Sequence, residues 1–151
     1  MALKNKIILG LAAVLLVVIG LAVYNSFFSP KARIKGAMER TVKSFLKKDR
    51  AFIMSNIDEE FSQGAMTKAK ADTALALFFM EFEKVKVVMD DQKVLVQDDT
   101  AVDTIKVIVI VSRGGEQGFL LGSFGNPQAL AVKFKHKDKW RITGVEGLPG
   151  Y

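Results

Sequence analysis

The chain contains no cysteine among its 151 residues. Disulfides, thiolate nucleophiles and cysteine zinc sites are therefore excluded, and an oxidising compartment is neither required nor contradicted. Its one histidine, His136, leaves a Ser–His or multi-histidine metal site no second histidine to draw on. Lys135, Lys137, Asp138 and Lys139 around it predict an exposed hairpin tip. Gly114, Gly115, Gly118, Gly122 and Gly125 form neither G-x-G-x-x-G nor a phosphate-binding loop, and they read as turns or bulges. The acid pairs Glu59-Glu60, Asp90-Asp91 and Asp98-Asp99 fall where turns are expected, and no D-x-D-x-D-G calcium loop is present. No metal site and no cofactor is expected. Basic and aromatic residues do not interleave in a recognisable motif, so nucleic acid is not an expected partner.

One long stretch lacks charge altogether. Ile7 to Tyr24 reads IILGLAAVLLVVIGLAVY, eighteen uncharged positions, and Asn25 to Phe28 extend the run to twenty-two. At about 1.5 Å per residue the eighteen make a helix of roughly 27 Å, close to the roughly 30 Å hydrocarbon core of a bilayer. A cleaved signal peptide has a shorter apolar core and small residues before the cut; Ala22-Val23-Tyr24-Asn25-Ser26 offers no such site. Tyr24, Phe27 and Phe28 resemble an aromatic belt at the membrane surface. The sequence therefore predicts a basic tail over residues 1–6, a transmembrane helix over 7–28 and one globular domain over 29–151. Orientation is pulled two ways. More positive residues follow the span (Lys31, Arg33, Lys35, Arg40, Lys43) than precede it (Lys4, Lys6), yet long domains translocate largely regardless of charge. The expectation adopted is the N-terminus inside and the domain outside. Setting Lys4 and Lys6 aside, the domain holds 20 basic and 16 acidic residues of the chain's 22 and 16, a net +4. Much of the excess lies on its first helix, where Lys31, Arg33 and Lys35 are placed to meet anionic headgroups.

Ser29-Pro30 is a helix start, a capping hydroxyl followed by proline. Ile34, Met38, Val42, Phe45 and Leu46 recur at helical steps, with a restart near Asp49 and a second helix through Ile57. A third helix is expected from Ala65 to about Phe82. Then the period becomes two: Val85, Val87, Val94 and Val96 alternate, with Asp90-Asp91 as the turn between two strands. Ala101 to Ser112 is a long strand, apolar enough after Lys106 for both faces to be covered. A short strand over Phe119 to Phe124 and a closing hairpin, Ala129 to His136 with Lys139 to Val145, complete an α+β chain of helices on one face of a curved sheet. Such a sheet leaves a cone-shaped cavity.

The strings KVKVVMDDQKVLVQDDTAVDTIKVIVIV and ALAVKFKHKDKWRITGVEG are similar to the nuclear transport factor 2-like superfamily, over roughly residues 30–146. The resemblance rests on the Asp99-Thr100-Ala101 start of the long strand and on Val132 to Lys135 followed by Trp140-Arg141-Ile142 and Val145. It implies about three helices packed on a bent antiparallel sheet. Members include ketosteroid isomerases and polyketide cyclases, which act inside the cone, and others that only bind or scaffold. The layout of tail, span and domain also resembles type IV secretion assembly factors and accessory subunits of lipid-import systems, which implies a bacterial inner membrane with the domain in the periplasm. A cone isomerase needs a carboxylate in an apolar pocket and a donor for an oxyanion. Asp103 is the candidate base, sharing parity with Ile105, Val107 and Val109. Tyrosine, the common donor, occurs only as Tyr24 and Tyr151, at the domain margins, which argues against catalysis. Phe78, Phe79, Phe82, Phe119 and Trp140 are candidates to line a lipid-sized cavity. The expected function is that of a non-enzymatic subunit or assembly factor of a membrane complex, its partners being the bilayer and other subunits or further copies of itself. Binding or turnover of an apolar small molecule in the cone is the alternative.

Overall fold

The computed structural model describes residues 16–19 and 29–149. The span expected over 7–28 lies outside them except for 16–19, a helical turn with Leu16, Val17, Val18 and Ile19 all exposed. No helix of the described residues is long and apolar enough to cross a membrane.

Helix α1 (Pro30–Leu46) starts as its sequence dictates, with the Ser29 hydroxyl accepting from the Ala32 N–H at 3.2 Å. Asp49 accepts from Phe52 N in the same way and opens α2 (Arg50–Ser55). A two-stranded ribbon, β1 (Ser62–Gln63) and β2 (Met66–Thr67), then leads into α3 (Lys68–Glu81), capped by Thr67. The ribbon shortens the helix expected from Ala65, because Gly64 at φ +56 reverses the chain before the helix begins.

The second half is one antiparallel sheet. β3 (Lys84–Gln97) pairs with β4 (Thr100–Arg113), β4 with β6 (Gln128–His136) and β6 with β7 (Trp140–Glu146). β5 (Glu116–Leu121) takes the far end of β4, over Val109–Arg113. Asp90-Asp91 does not turn the chain as expected. β3 runs through it, and Asp91 and Gln92 form a bulge opposite β4, with Asp91 at φ +54. Aspartate tolerates that left-handed conformation, and the extra residue bends the strand instead of ending it. Asp98 at φ +54 does belong to a turn, the tight one between β3 and β4. Further register shifts at Val109/Ile110 and Lys133/Phe134 add to the curvature. Gly122 (φ +65) carries the chain from β5 toward β6, and a Cβ there would sit 2.7 Å from both Gln128 N and Val107 O.

The concave face holds the core. Ile34 and Met38 of α1 pack with Phe61, Val94, Ala101, Ile105, Val132, Phe134, Trp140 and Ile142. Burying each of those two α1 side chains is worth about 1.5–3 kcal/mol. Val107, Ile108, Val111 and Ser112 are all buried, so the far end of β4 is covered on both faces as its apolar run predicts.

Candidate functional site

Alternation on β4 turns Ala101, Asp103, Ile105 and Val107 inward and leaves Thr104 and Lys106 exposed. Asp103 is thus set into the concave face between Val94 of β3 and Val132 of β6, with 0 % of its surface exposed. The β3 bulge aims Gln92 at it, and Gln92 Nε2 donates to Asp103 Oδ2 at 2.6 Å. Asp103 Oδ1 is buried with no hydrogen-bond partner among the described residues. Burial raises the Asp103 pKa above the ordinary carboxylate value; the Gln92 hydrogen bond and the charge of Lys35 oppose the shift without cancelling it. A carboxyl in such a place can hold a proton or donate one. Gln92 is the side-chain donor that reaches it among the described residues; Tyr24 and Tyr151 lie outside them. The principal cavities of the described residues are lined by other side chains. Ile34 and Met38 occupy the core on which a ligand of the cone would rest.

The aromatic candidates do not converge on one cavity. Phe78, Phe79 and Phe82 pack on one another and on Phe45, with centroids 4.8–5.9 Å apart, where α3 meets the end of α1. Phe119 pairs with Ile110, whose parity is opposite to that of Asp103, and so faces the convex side. It is 50 % exposed and meets Phe124 edge to face. Trp140 joins the core and the His136 ring, at 5.0 Å. Strand parity and helix position separate these rings into three places.

Two features escaped sequence reasoning. Asp58, 1 % exposed, lies just after α2 and ties that segment to the sheet: its N–H donates to Ile142 O, and its Oδ1 accepts from Glu60 N at 2.9 Å and Lys137 Nζ at 3.2 Å. The Glu60 backbone bond, with help from Lys137 and Arg141, holds the Asp58 pKa below 3.8 despite burial. An Asx turn into Glu59-Glu60 was its only sequence signal. The second is a basic cleft. Lys31, Arg33 and Lys35 are exposed, and Arg33 lines a cleft with Arg40, Lys139 and half-buried His136. His136 is therefore not at an open hairpin tip; its N–H donates to Asp99 O. No cluster among the described residues could hold a metal ion.

No family profile matches the chain, and no curated protein matches it in sequence. Solved structures do match it in shape. A candidate scytalone dehydratase from Novosphingobium aromaticivorans shares 12 % identity at TM-score 0.67, over 80 % of this chain and 84 % of that one. A nuclear transport factor 2-like protein with a cystatin-like fold from the same organism shares 16 % at TM-score 0.64, over 87 % and 90 %. A candidate dehydratase of the nuclear transport factor 2-like family from Streptomyces avermitilis shares 15 % at TM-score 0.60, over 78 % and 94 %. Residues 29–149 thus have the nuclear transport factor 2-like fold, an α+β domain with helices on a curved antiparallel sheet. At these identities the likeness establishes the fold alone.

Proposed function

We propose that this protein is a non-enzymatic binding module, a small subunit or assembly factor of a bacterial membrane complex, held at the inner membrane by residues 7–28 with its domain on the periplasmic side. The observation that carries the reading is α3. Its sequence is rich in alanine, leucine and phenylalanine, yet it has no buried residue, and Leu77 and Met80 are 59 % and 83 % exposed. An apolar helix face left open in the single chain is what a protein partner covers. The packing of Ile34 and Met38 into the core of the cone supports the same reading. Purification of the full-length chain from its own membranes in mild detergent should retain a stoichiometric protein partner, and Leu77→Lys with Met80→Lys should release it. A clean monomer under every condition refutes the proposal, as does a partner retained by the double variant. The tether is tested by alkaline carbonate extraction, which should leave the chain in the membrane. Because the chain lacks cysteine, a single Ser55→Cys labelled by a membrane-impermeant maleimide reports the side on which the domain lies.

A second reading is favoured by the unpartnered Asp103 Oδ1. A buried acceptor with nothing to accept from is a place for a ligand hydroxyl, and two of the similar structures are candidate dehydratases. On this reading the cone opens to admit an apolar small molecule or lipid. Mass spectrometry of the native protein should then find a bound lipid that Asp103→Asn loses; protein free of lipid in both forms ends this alternative.

A further inference from the structure

Two cavities flank the hairpin between β6 and β7, and their charges are balanced differently. One of about 430 Å³ is lined by Lys68, Lys137, Lys139 and Arg141 with Asp58 and Glu59. Its cations are nearly all neutralised: Lys68 by Glu59 at 2.5 Å, Lys137 by Asp58 and Glu60, Arg141 by Asp138. The other, of about 190 Å³, lies between α1 and the hairpin, against Arg33, Ala37, Arg40, His136, Lys139 and Trp140. Arg33, Ala37 and Arg40 are four and three positions apart, so α1 presents them on one face. Among the described residues none of Arg33, Arg40 and Lys139 has a carboxylate at ion-pair distance. The one acid lining the cavity, Asp138, gives both carboxylate oxygens to Arg141, its Oδ2 at 3.1 Å from Arg141 Nη2. Three cations from two elements thus meet around a hollow with no counter-charge of their own, an arrangement that repels itself until an anion enters.

We propose that this cavity binds a phosphoryl group. Arg33 and Arg40 supply planar forks of N–H donors that match phosphate oxygens, and Lys139 adds a point charge. The His136 and Trp140 rings, 5.0 Å apart edge to face, form the wall. A volume of about 190 Å³ equals roughly six water molecules, enough for a phosphate and the first atoms of its ester. Two sources share this chemistry, a phospholipid headgroup and a soluble phosphate. Arg33 lies five positions beyond Phe28, where the uncharged run ends, which brings a headgroup within reach.

Trp140, the only tryptophan, is a built-in reporter. The full-length chain in zwitterionic micelles, titrated with inorganic phosphate at constant ionic strength, should show a saturable change in Trp140 fluorescence. Arg40→Gln with Lys139→Gln should weaken it about tenfold or more, the effect of losing one charge-assisted contact or better. Lys47→Gln with Lys70→Gln removes the same charge outside the cavity and should leave it within about twofold. Ala37→Phe fills the hollow without changing charge and should abolish the response. No saturation up to about 10 mM phosphate, equal loss in the two charge pairs, or an unaffected Ala37→Phe overturns the proposal. Bilayer discs then separate the sources. Loss of the phosphate response when phosphatidic acid is added to phosphatidylcholine assigns the site to a lipid headgroup; persistence assigns it to a soluble phosphate.

Discussion

Replacing Asp103 by Asn should make the domain more stable at neutral pH, although it removes a side chain that accepts a hydrogen bond. The carboxylate is wholly buried, one oxygen accepts from Gln92 at 2.6 Å, and the other has no donor among the described residues. An unsatisfied buried acceptor costs about 1–3 kcal/mol, and more if it is charged. Burial raises the folded pKa above the 3.8 of the unfolded chain, so the folded domain binds this proton more tightly. Below 3.8 both states carry the proton and no penalty exists. Between 3.8 and the folded value stability falls as pH rises, and above the folded value the loss is complete. Asparagine keeps the shape and an oxygen for Gln92; its amide nitrogen takes the place of the unpartnered Oδ1 and stays unsatisfied, so what the substitution removes is the cost of the buried charge. Asp103→Asn should therefore gain about 1–3 kcal/mol at neutral pH, a rise of the thermal midpoint on the order of 5 °C, and the gain should shrink toward zero as pH is lowered to 3.8. Urea unfolding of the full-length chain in zwitterionic micelles, followed by Trp140 fluorescence over a pH series, measures it. A variant that is no more stable at neutral pH, or whose advantage does not change with pH, refutes the reasoning and means that Lys35 and Gln92 outweigh the cost of burial.

Asp58 is the opposite case, a buried carboxylate whose pKa is held below 3.8. Its contribution is present above 3.8 and is lost as pH falls through the folded value, so Asp58→Ala should cost about 1–2 kcal/mol at neutral pH and flatten the acid-unfolding curve from about pH 4 downward. Gly122→Ala forces a Cβ against backbone atoms at 2.7 Å at φ +65, whereas Gly125 at φ +81 has open space around it. Denaturation midpoints should show Gly125→Ala costing about 1 kcal/mol and Gly122→Ala well above that. Leu77→Ser with Met80→Ser should change the isolated domain's unfolding free energy by less than about 0.5 kcal/mol per site, because both side chains are already in water; a larger loss would mean that the α3 face is packed within the chain.

Much of the fold was legible because it is written locally. Ser29-Pro30 and Asp49 announce helix starts through a side-chain oxygen aimed at the next turn, and both act that way. The period-two pattern gave Asp103 the parity of Ile105 and Val107 but left it either facing inward or near an exposed strand start; its burial between Val94 and Val132 decides for the first. Asp90-Asp91 was misread for an equally local reason: an aspartate pair serves a turn or a bulge alike, and only pairing with β4 distinguishes them.

What the sequence determined on its own was therefore composition and period: a chain without thiol chemistry, an uncharged run as long as a bilayer is thick, and helices followed by an alternating sheet. What only the tertiary structure decided was what meets what. Asp103 keeps an unpartnered oxygen because the β3 bulge brings Gln92 to the other one. The α3 face stays open because no element among the described residues is laid over Leu77 and Met80. Arg33 and Lys139, 106 positions apart in the chain, share one cleft because the β6–β7 hairpin folds back beside α1. Periodicity states which residues share a face. Which face is covered, and by which distant side chain, depends on sheet curvature and packing, which are properties of the whole domain.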